Sequence, residues 1–236
     1  ENSTVENSET VTESSPEDYP TAATTIPETE DLNDDFTLTE TESYFQYRIK
    51  MEPVMEASNP FITDVDNVLM EVPLSEWLTY KNGFKIGGVK ITIDGSPQGR
   101  TAYFSKPYLT GGPGGERNWK GELTFSQDMV NQMVKKVYDM NVPLNLHCNG
   151  DGAIDAFLSA YESARAGDFS KPWNVTTIHS QFMRKDQMPG FVKYGVRPSF
   201  YTLHTYYFYE AHLNNRGMEE AQYISPMRDA IDAGMK

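Results

Sequence analysis

The sequence has little cysteine, no long apolar run and, over its first part, no positive charge. Its single cysteine, Cys148, excludes an internal disulfide framework. No apolar run approaches the ~18 residues that a transmembrane helix requires, so no membrane span is predicted. No stretch offers the cluster of Lys and Arg that phosphate contacts need, which excludes a basic nucleic-acid-binding surface.

Charge is divided unevenly along the chain. Residues 1–44 hold 13 Asp or Glu and 15 Ser or Thr but no base, and the first base is Arg48. Because such a segment buries too little apolar surface to offset its chain entropy, we predict a disordered acidic tail over 1–44. The nearly neutral remainder, 45–236, is large enough for one domain. A Ser/Thr/Glu-rich tether is typical of the segment after a removed export signal and favours an exported or surface setting; a specific acidic interaction tail is the alternative.

Beyond the tail, apolar β-branched runs alternate with segments of helical period. The predicted strands are 44–54, 86–93, 142–147, 175–179 and 196–201, and a long Gly/Pro-rich loop covers 94–124. Helices are predicted after the caps Ser126 and Asp151, over 185–194 before Gly195, and after Ser225-Pro226. Strands that alternate with helices predict a parallel sheet with crossover helices.

Two parallel architectures fit this alternation: an open doubly wound sheet and a (β/α)8 barrel. The first requires a Gly-rich phosphate turn after a strand, and residues 111–115 lack the GxGxxG spacing. The barrel is favoured because polar residues fall where its strands end. The predicted fold class is therefore α/β, a partial TIM-type (β/α)8 barrel preceded by the tail.

Three of the four histidines lie at or just beyond strand ends. His147 ends the third predicted strand, His179 ends the fourth, and His204 follows the fifth. Active-site groups of a barrel gather at the carboxyl ends of its strands, and neutral imidazole is a good ligand for Zn²⁺ and similar ions. Separate satisfied core histidines are the plainer alternative. Lys90, within the second strand, is interpreted either as a buried ion pair with Asp94 or Asp151 or as a lysine converted to an anionic carbamate.

Two further features lie beside these histidines. Cys148 follows His147 directly, but neighbours on a strand point to opposite faces, which argues against a Cys/His nucleophile. An aromatic run of Tyr201 and residues 206–209 surrounds His204. Packing explains such a run most simply, and the alternative is a pocket for a bulky apolar or aromatic substrate group.

Four segments in order resemble amidohydrolase family 3 of the metal-dependent amidohydrolase superfamily. They are GVKITIDGSPQGRTA (88–102), LHCNGDGAIDAFLSAYESA (146–164), TIHSQ (177–181) and GVRPSFYTLH (195–204). The usual family forms are similar to K-x-x-x-DGSLGSRTA, LHAIGDRAID, IEHAQ and PSxQPxH. The resemblance runs from about Arg48 to Gly234.

The resemblance implies a barrel that hydrolyses C–N or ester bonds of a small-molecule substrate with a divalent metal, commonly Zn²⁺. By position, Lys90 matches a carboxylated lysine, and His147 and His179 match metal ligands. His204 matches a residue near the substrate, and Asp94 and Arg100 match polar residues of the same motifs. We assign His204, Arg100 and Asp94 to catalysis. Asp151 matches another polar motif residue.

This sequence also departs from the family pattern. It contains no HxH pair, which forms the first metal ligands of the superfamily, and no matching Asp that would end strand eight as general base. Cys148-Asn149 stand where Ala-Ile is usual, and Gly152 stands where Arg is usual. The resemblance therefore covers about strands three to seven. We expect either a fragment of a larger enzyme, with the missing strands supplied by the rest of a longer chain, or a degenerate member of the family.

Two hypotheses arise from this mixture. In the first, the chain is, or derives from, a metal-dependent hydrolase, with Lys90, His147 and His179 as ligands. In the second, it is a non-catalytic barrel fragment that binds a ligand or partner. The missing HxH and Asp favour the second hypothesis, and the three retained ligand positions favour the first.

Overall fold

The computed structural model describes residues 60–235, so the predicted tail and the predicted strand over 44–54 lie outside the described residues. Four strands are present in this range: β1 (Val89–Thr92), β2 (Leu144–Cys148), β3 (Val175–His179) and β4 (Arg197–Ser199). The helices are α1 (Pro60–Glu71), α2 (Gln127–Met140), α3 (Asp151–Arg165), α4 (Met188–Tyr194), α5 (Leu203–Tyr207), α6 (Tyr209–Arg216), α7 (Met218–Gln222) and α8 (Met227–Asp232). Short 3₁₀ turns cover Leu74–Glu76 and Lys185–Gln187.

The four strands are all parallel and lie side by side in chain order, β1-β2-β3-β4. A doubly wound sheet reverses its strand order, whereas a barrel adds each strand next to the last. With crossover helices α2, α3 and α4 between the strands, the architecture is that of part of a (β/α)8-type barrel. The predicted fold class is therefore confirmed for the described residues.

Helical periodicity explains how the crossover helices attach to the sheet. Val130, Met133, Val134 and Val137 of α2 are buried at i, i+3, i+4 and i+7, and Ser126 caps the helix by accepting from the backbone N–H of Met129. In α3 the predicted face is buried in the same way, with Ile154, Phe157 and Tyr161 almost fully covered. These faces pack on Ile91, Leu144, Leu146 and Val175 of the sheet to form the main core.

Several predicted boundaries need correction. Gly150, not Asp151, is the N-cap of α3, and Pro226, not Ser225, is the N-cap of α8. Strands β1, β2 and β4 each differ by one to three residues at an end from the predicted runs, whereas β3 matches over its whole length. The prediction of a loop over 94–124 is confirmed, and helices α1, α5, α6 and α7 were not predicted. Within residues 60–235, no helix has both the length and the apolar character to cross a membrane.

The sheet has one covered face and one open face, and this division positions the candidate site. Residues that point toward the helices are buried, whereas Lys90 and Thr92 of β1 are exposed. Asn145 and His147 of β2 lie on the same open side and are half-buried. In a closed barrel this open face corresponds to the interior.

Candidate functional site

Lys90, His147 and His179 come from three neighbouring parallel strands. Lys90 pairs with Asn145, Thr92 pairs with His147, and Cys148 pairs with His179. The carboxyl ends of parallel strands meet at one edge of the sheet, so the two histidines lie at that edge with Lys90 two residues before it. The rings of His147 and His179 are nearly perpendicular, with centroids 5.0 Å apart.

His179 reaches this position because the backbone leaves the extended conformation there. Its strand partner Cys148 is fully buried on the helix side, and strict alternation would direct His179 to the same side. Instead His179 has φ 73° and Ser180 has φ 44°. Left-handed backbone at non-glycine residues costs of the order of 1–3 kcal/mol each and is concentrated at functional sites. The left-handed backbone at His179 and Ser180 turns the His179 ring toward the His147 ring on the open face of the sheet.

His204 extends the cluster from α5. Its ring centroid lies 5.0 Å from that of His179 and 4.8 Å from that of Tyr201, and the residue is only 9% exposed. The structure thus brings His147, His179 and His204 together, as their positions after successive strands predicted.

Burial keeps two of these imidazoles neutral near pH 7. Desolvation lowers the pKa of His179 to about 4, assisted by the charges of His147, His204 and Lys90. Desolvation, and then the charge of His147, also lowers the pKa of His204. A metal ion binds the neutral form, so these rings are in the protonation state that ligation requires.

Lys90 lies differently from the sequence expectation of a buried lysine. It is exposed on the open face, and no ion pair between Lys90 and Asp94 or Asp151 occurs in the described part of the chain. The buried-ion-pair interpretation is therefore wrong. The lysine was expected to be buried because it interrupts an apolar run, but the run alternates between the two faces of the sheet.

Asp94 is a fully buried carboxylate that ties the strand ends together. It accepts hydrogen bonds from the backbone N–H groups of Asn149 (2.9 Å), Gly150 (2.9 Å) and Tyr103 (3.2 Å). Its Oδ1 lies 3.3 Å from Nδ1 of His147, a close electrostatic contact that falls short of hydrogen-bond geometry. These contacts favour a positioning role for Asp94 over the direct catalytic role expected from the sequence.

Asp151 is held in a second network at the start of α3. Its Oδ1 accepts from the backbone N–H of Ser105 and its Oδ2 accepts from Nη1 of Arg184, at 2.9 and 2.7 Å. Arg184 also binds Asp186 and Asp155, and its hydrogen bonds to Asp186 first, then to Asp155 and Asp151, raise the pKa of its guanidinium. Gly152 stands next to Asp151, where the family pattern usually has an arginine. Arg184, in the loop after β3, provides the guanidinium that binds the Asp151 carboxylate here.

His147, His179 and His204 form an imidazole cluster through ring contacts in which Arg100 takes no part in the described structure. The backbone of Arg100 is left-handed (φ 60°), and its carbonyl accepts a 2.6 Å hydrogen bond from Nε1 of Trp119. Within residues 60–235 the guanidinium makes no ion pair with an acidic side chain. The catalytic role expected for Arg100 stays a prediction.

His212 is a neighbour of the cluster that the sequence did not indicate. It is fully buried in α6, and its Nε2 lies 2.8 Å from Nε2 of Gln181, two residues after His179. Burial, and then the charge of His204, lowers its pKa to about 4. The sequence did contain one indication of this contact, because Gln181, the partner of His212, belongs to the TIHSQ motif segment.

The aromatic run around His204 is only partly packed. Tyr206 and Tyr207 are 81% and 66% exposed, whereas Phe208 lies between the rings of His204 and His212. The packing interpretation is wrong for the two tyrosines. A separate cavity of about 360 Å³ lies near Asp151 and Arg184, and none of Lys90, His147, His179 and His204 lines it.

The donor chemistry of the cluster fits a divalent metal, with one ligand still to be supplied. The Nδ1 atoms of His179 and His204 are buried and have no hydrogen-bond partner in the described structure. Yet between residues 60 and 235 no three His, Cys, Asp or Glu side chains are grouped so that they could hold a metal ion. A third ligand of another kind is needed, and Lys90, exposed on the open face of the neighbouring strand β1, is the candidate.

Comparison with solved structures supports the fold. The chain is similar to an uncharacterized metal-dependent hydrolase from Pyrococcus furiosus, with 24% identity and a TM-score of 0.59 over 72% of this chain. It is equally similar to an uncharacterized metal-dependent hydrolase from Pyrococcus horikoshii OT3, with 22% identity and a TM-score of 0.59 over 72% of this chain. The chain spans about a third of the length of each, 33% and 32%.

Comparison at the level of sequence families gives the assignment. No curated protein matches the chain. The sequence model described as the amidohydrolase family matches residues 23–236, which includes all four motif segments and begins within the predicted tail. The chain therefore belongs to the amidohydrolase family.

Proposed function

We propose that the protein is a metal-dependent hydrolase that acts on C–N (amide) or related bonds of a small molecule, with Lys90, His147 and His179 as ligands of a Zn²⁺ ion. The observation that carries the proposal is the 5.0 Å approach of the His147 and His179 rings at the ends of adjacent parallel strands. Family membership and the similar fold of two metal-dependent hydrolases support it.

Lys90 contributes as a carbamate in this proposal. The Lys90 ammonium first loses one proton to solvent. The neutral amine then adds to CO₂: the Nζ–C bond forms, one C=O π pair moves onto oxygen, and a second proton leaves Nζ. An anionic oxygen donor thus replaces the ammonium with the loss of two protons. The exposed position of Lys90 on the open face gives CO₂ access to Nζ.

The remaining side chains prepare the site for hydrolysis. A bound divalent metal supplies Lewis-acid polarisation of the scissile carbonyl and acidifies water. His179 and His204 remain neutral because they are desolvated. Asp94 holds the loop that carries Asn149 and Gly150 against the end of β1, which fixes His147 in the strand end. In this proposal His204, whose ring lies beside that of His179, orients the substrate.

A zinc titration of the 236-residue protein tests the proposal. We expect weak zinc binding that is lost in His147→Ala and His179→Ala. Lys90→Gln should weaken binding and abolish its dependence on bicarbonate, whereas the matched variant Lys85→Gln, another exposed lysine, should change neither. Zinc binding that survives both histidine substitutions would place the site elsewhere.

Hydrolysis is tested with zinc on a panel of N-acyl amino acids and esters. We expect little or no turnover, since general-base help is typically worth ~10²–10⁴-fold and no residue matches the Asp base. Robust turnover that depends on both histidines would show that the described site is sufficient. Turnover that is independent of them would refute the proposed site.

A non-catalytic, ligand- or partner-binding barrel fragment is the second candidate. The specific observation in its favour is that the part of the chain that the structure describes groups no three His, Cys, Asp or Glu side chains for a metal. Its signature is zinc binding or ligand binding without turnover, even when the protein is supplied with the missing barrel strands as a longer chain.

A further inference from the structure

Asn149 makes a hydrogen bond to the candidate ligand His147 that neither the resemblance nor the fold requires. Both residues are on one side of the chain at the end of β2, two positions apart. The Nδ2 atom of Asn149 lies 3.2 Å from Nε2 of His147 and donates to the carbonyl of Gly95 at 2.9 Å. Asn149 is only 3% exposed.

The orientation of the Asn149 amide is determined by the second contact. A backbone carbonyl can only accept, so the atom that faces Gly95 must be the NH₂ group rather than the oxygen. A flipped amide would bring Oδ1 against the Gly95 carbonyl and leave two acceptors facing each other. In the assigned orientation Oδ1 is buried without a partner, which is the cost of keeping both donors engaged.

The amide orientation in turn determines which ring nitrogen of His147 carries the proton. The remaining N–H of the Asn149 amide points at Nε2, so Nε2 accepts and the ring proton resides on Nδ1. On that side, Nδ1 faces the Asp94 carboxylate at 3.3 Å, which favours a protonated nitrogen. The lone pair on Nε2 is therefore engaged by the amide and is not free for another partner.

We propose that Asn149 locks His147 in the Nδ1–H tautomer and, by occupying Nε2, weakens divalent-metal binding at the imidazole cluster. The second half rests on the proposed function, because it assumes that His147 is a metal ligand. A metal that enters through Nε2 first displaces the amide hydrogen bond. Asn149 thus lowers the affinity of the site for a metal ion and holds the His147 ring of the metal-free protein in one tautomer.

The tautomer is tested without any metal. Long-range ¹H–¹⁵N NMR of the four histidine rings at pH 7.5 distinguishes protonated from unprotonated ring nitrogens. We expect His147 of the unsubstituted protein to show Nδ1 protonated and Nε2 as acceptor. Asn149→Leu keeps the branched shape of the side chain and removes the donor, while Asp94 remains beside Nδ1. Part of the His147 population should therefore shift to the Nε2–H form. Asn149→Ala serves as a second variant if the leucine prevents folding.

Metal affinity is measured on the same proteins by zinc competition with a chelating dye. Asn149→Leu should bind zinc about tenfold more tightly, the scale expected for one hydrogen bond to a ligand. The matched control is Asn145→Leu, which removes an amide from the same face of β2. Asn145 makes no hydrogen bond to His147 in the described structure, so this substitution should leave both tautomer and affinity unchanged.

The outcomes separate this proposal from the proposed function. An unchanged His147 tautomer in both Asn149 variants, or an Nε2–H form in the unsubstituted protein, overturns the lock. A tautomer switch with unchanged zinc affinity overturns the claim that Asn149 weakens metal binding. A tautomer switch with no zinc bound by any of the proteins upholds the lock and overturns the metal site.

Discussion

His147 and His179 lie with ring centroids 5.0 Å apart and planes at 87°, although strand register pairs His179 with the buried Cys148 rather than with His147. The approach depends on left-handed backbone at His179 and Ser180. Ser180 is itself fully buried, and its hydroxyl donates to Oγ1 of Thr177 at 2.7 Å. Local hydrogen bonding within the turn therefore supports a backbone arrangement that alternation alone does not produce.

Removing the Asp94 carboxylate should destabilise the protein strongly. Asp94→Ala leaves the buried N–H groups of Asn149 and Gly150 without an acceptor, at about 1–3 kcal/mol for each such group. We expect a loss of about 3 kcal/mol in the free energy of unfolding, measured by urea denaturation. Asp232→Ala, which breaks only an exposed pair with Arg228, should change stability by less than about 0.5 kcal/mol. Equal effects of the two substitutions would contradict the positioning role of Asp94.

Gly150 should tolerate no side chain, for steric rather than conformational reasons. Its φ is −78°, which any residue adopts, but an added Cβ would lie 1.9 Å from the carbonyl oxygen of Tyr103. Gly150→Ala should therefore cost about 2 kcal/mol or more, since the loop over the strand ends must move. Gly87→Ala is the control, because nothing lies within 4 Å of its added Cβ. Circular dichroism during thermal unfolding compares the two variants, and matching midpoints would refute the predicted clash.

Periodicity predicted the elements whose pattern is set by burial on one side. Strand β3 and the buried faces of α2 and α3 can be predicted from apolar spacing, because each packs against a single large core. The chain order of chemistry-bearing residues also predicted that His147, His179 and His204 meet. Helices α5, α6 and α7 were missed because the aromatic and polar residues over 203–222 show no single apolar face.

Other features of the site depend on contacts between distant residues. Arg184 meets Asp151 from 33 positions away, and Asn149 meets Gly95 from 54 positions away. Neither pairing has a local spacing that a single sequence displays. The exposure of Lys90 was missed for a related reason, because burial of a strand residue depends on what covers its face of the sheet.

Cys148 should be unreactive in the native protein. Burial raises the pKa of its thiol, assisted by the nearby charge of Asp94, and the sulfur is fully covered. Since the thiolate is the reactive form, labelling by a thiol reagent should be at least ~10²-fold slower in buffer than in denaturing urea. The sequence argument that Cys148 faces away from His147 predicts the same result. Fast native labelling would contradict both and would reopen a Cys/His site.

The protein should lose stability as pH falls below about 6.5. The pKa of His179 and of His212 is lowered from 6.5 to about 4, and that of His204 is lowered as well. Between pH 6.5 and 4 the unfolded chain thus binds more protons at these rings than the folded protein, so stability rises with pH in that window and is fully present above it. Because His179 is half-exposed, solvent screens its charge. Its contribution to the pH dependence of the free energy of unfolding therefore stays well below the limit of about 1.36 kcal/mol per pH unit.

Thermal unfolding between pH 5 and 7 measures this dependence above the range in which carboxylates titrate. His212→Gln keeps a polar partner for Gln181 and removes one titrating ring. Its unfolding midpoint should therefore fall less steeply with decreasing pH than that of the unsubstituted protein. Asp232→Asn, which alters an exposed carboxylate of α8, is the control and should leave the slope in this window unchanged. A slope that is unaffected by His212→Gln would mean that this ring is not held neutral by the fold.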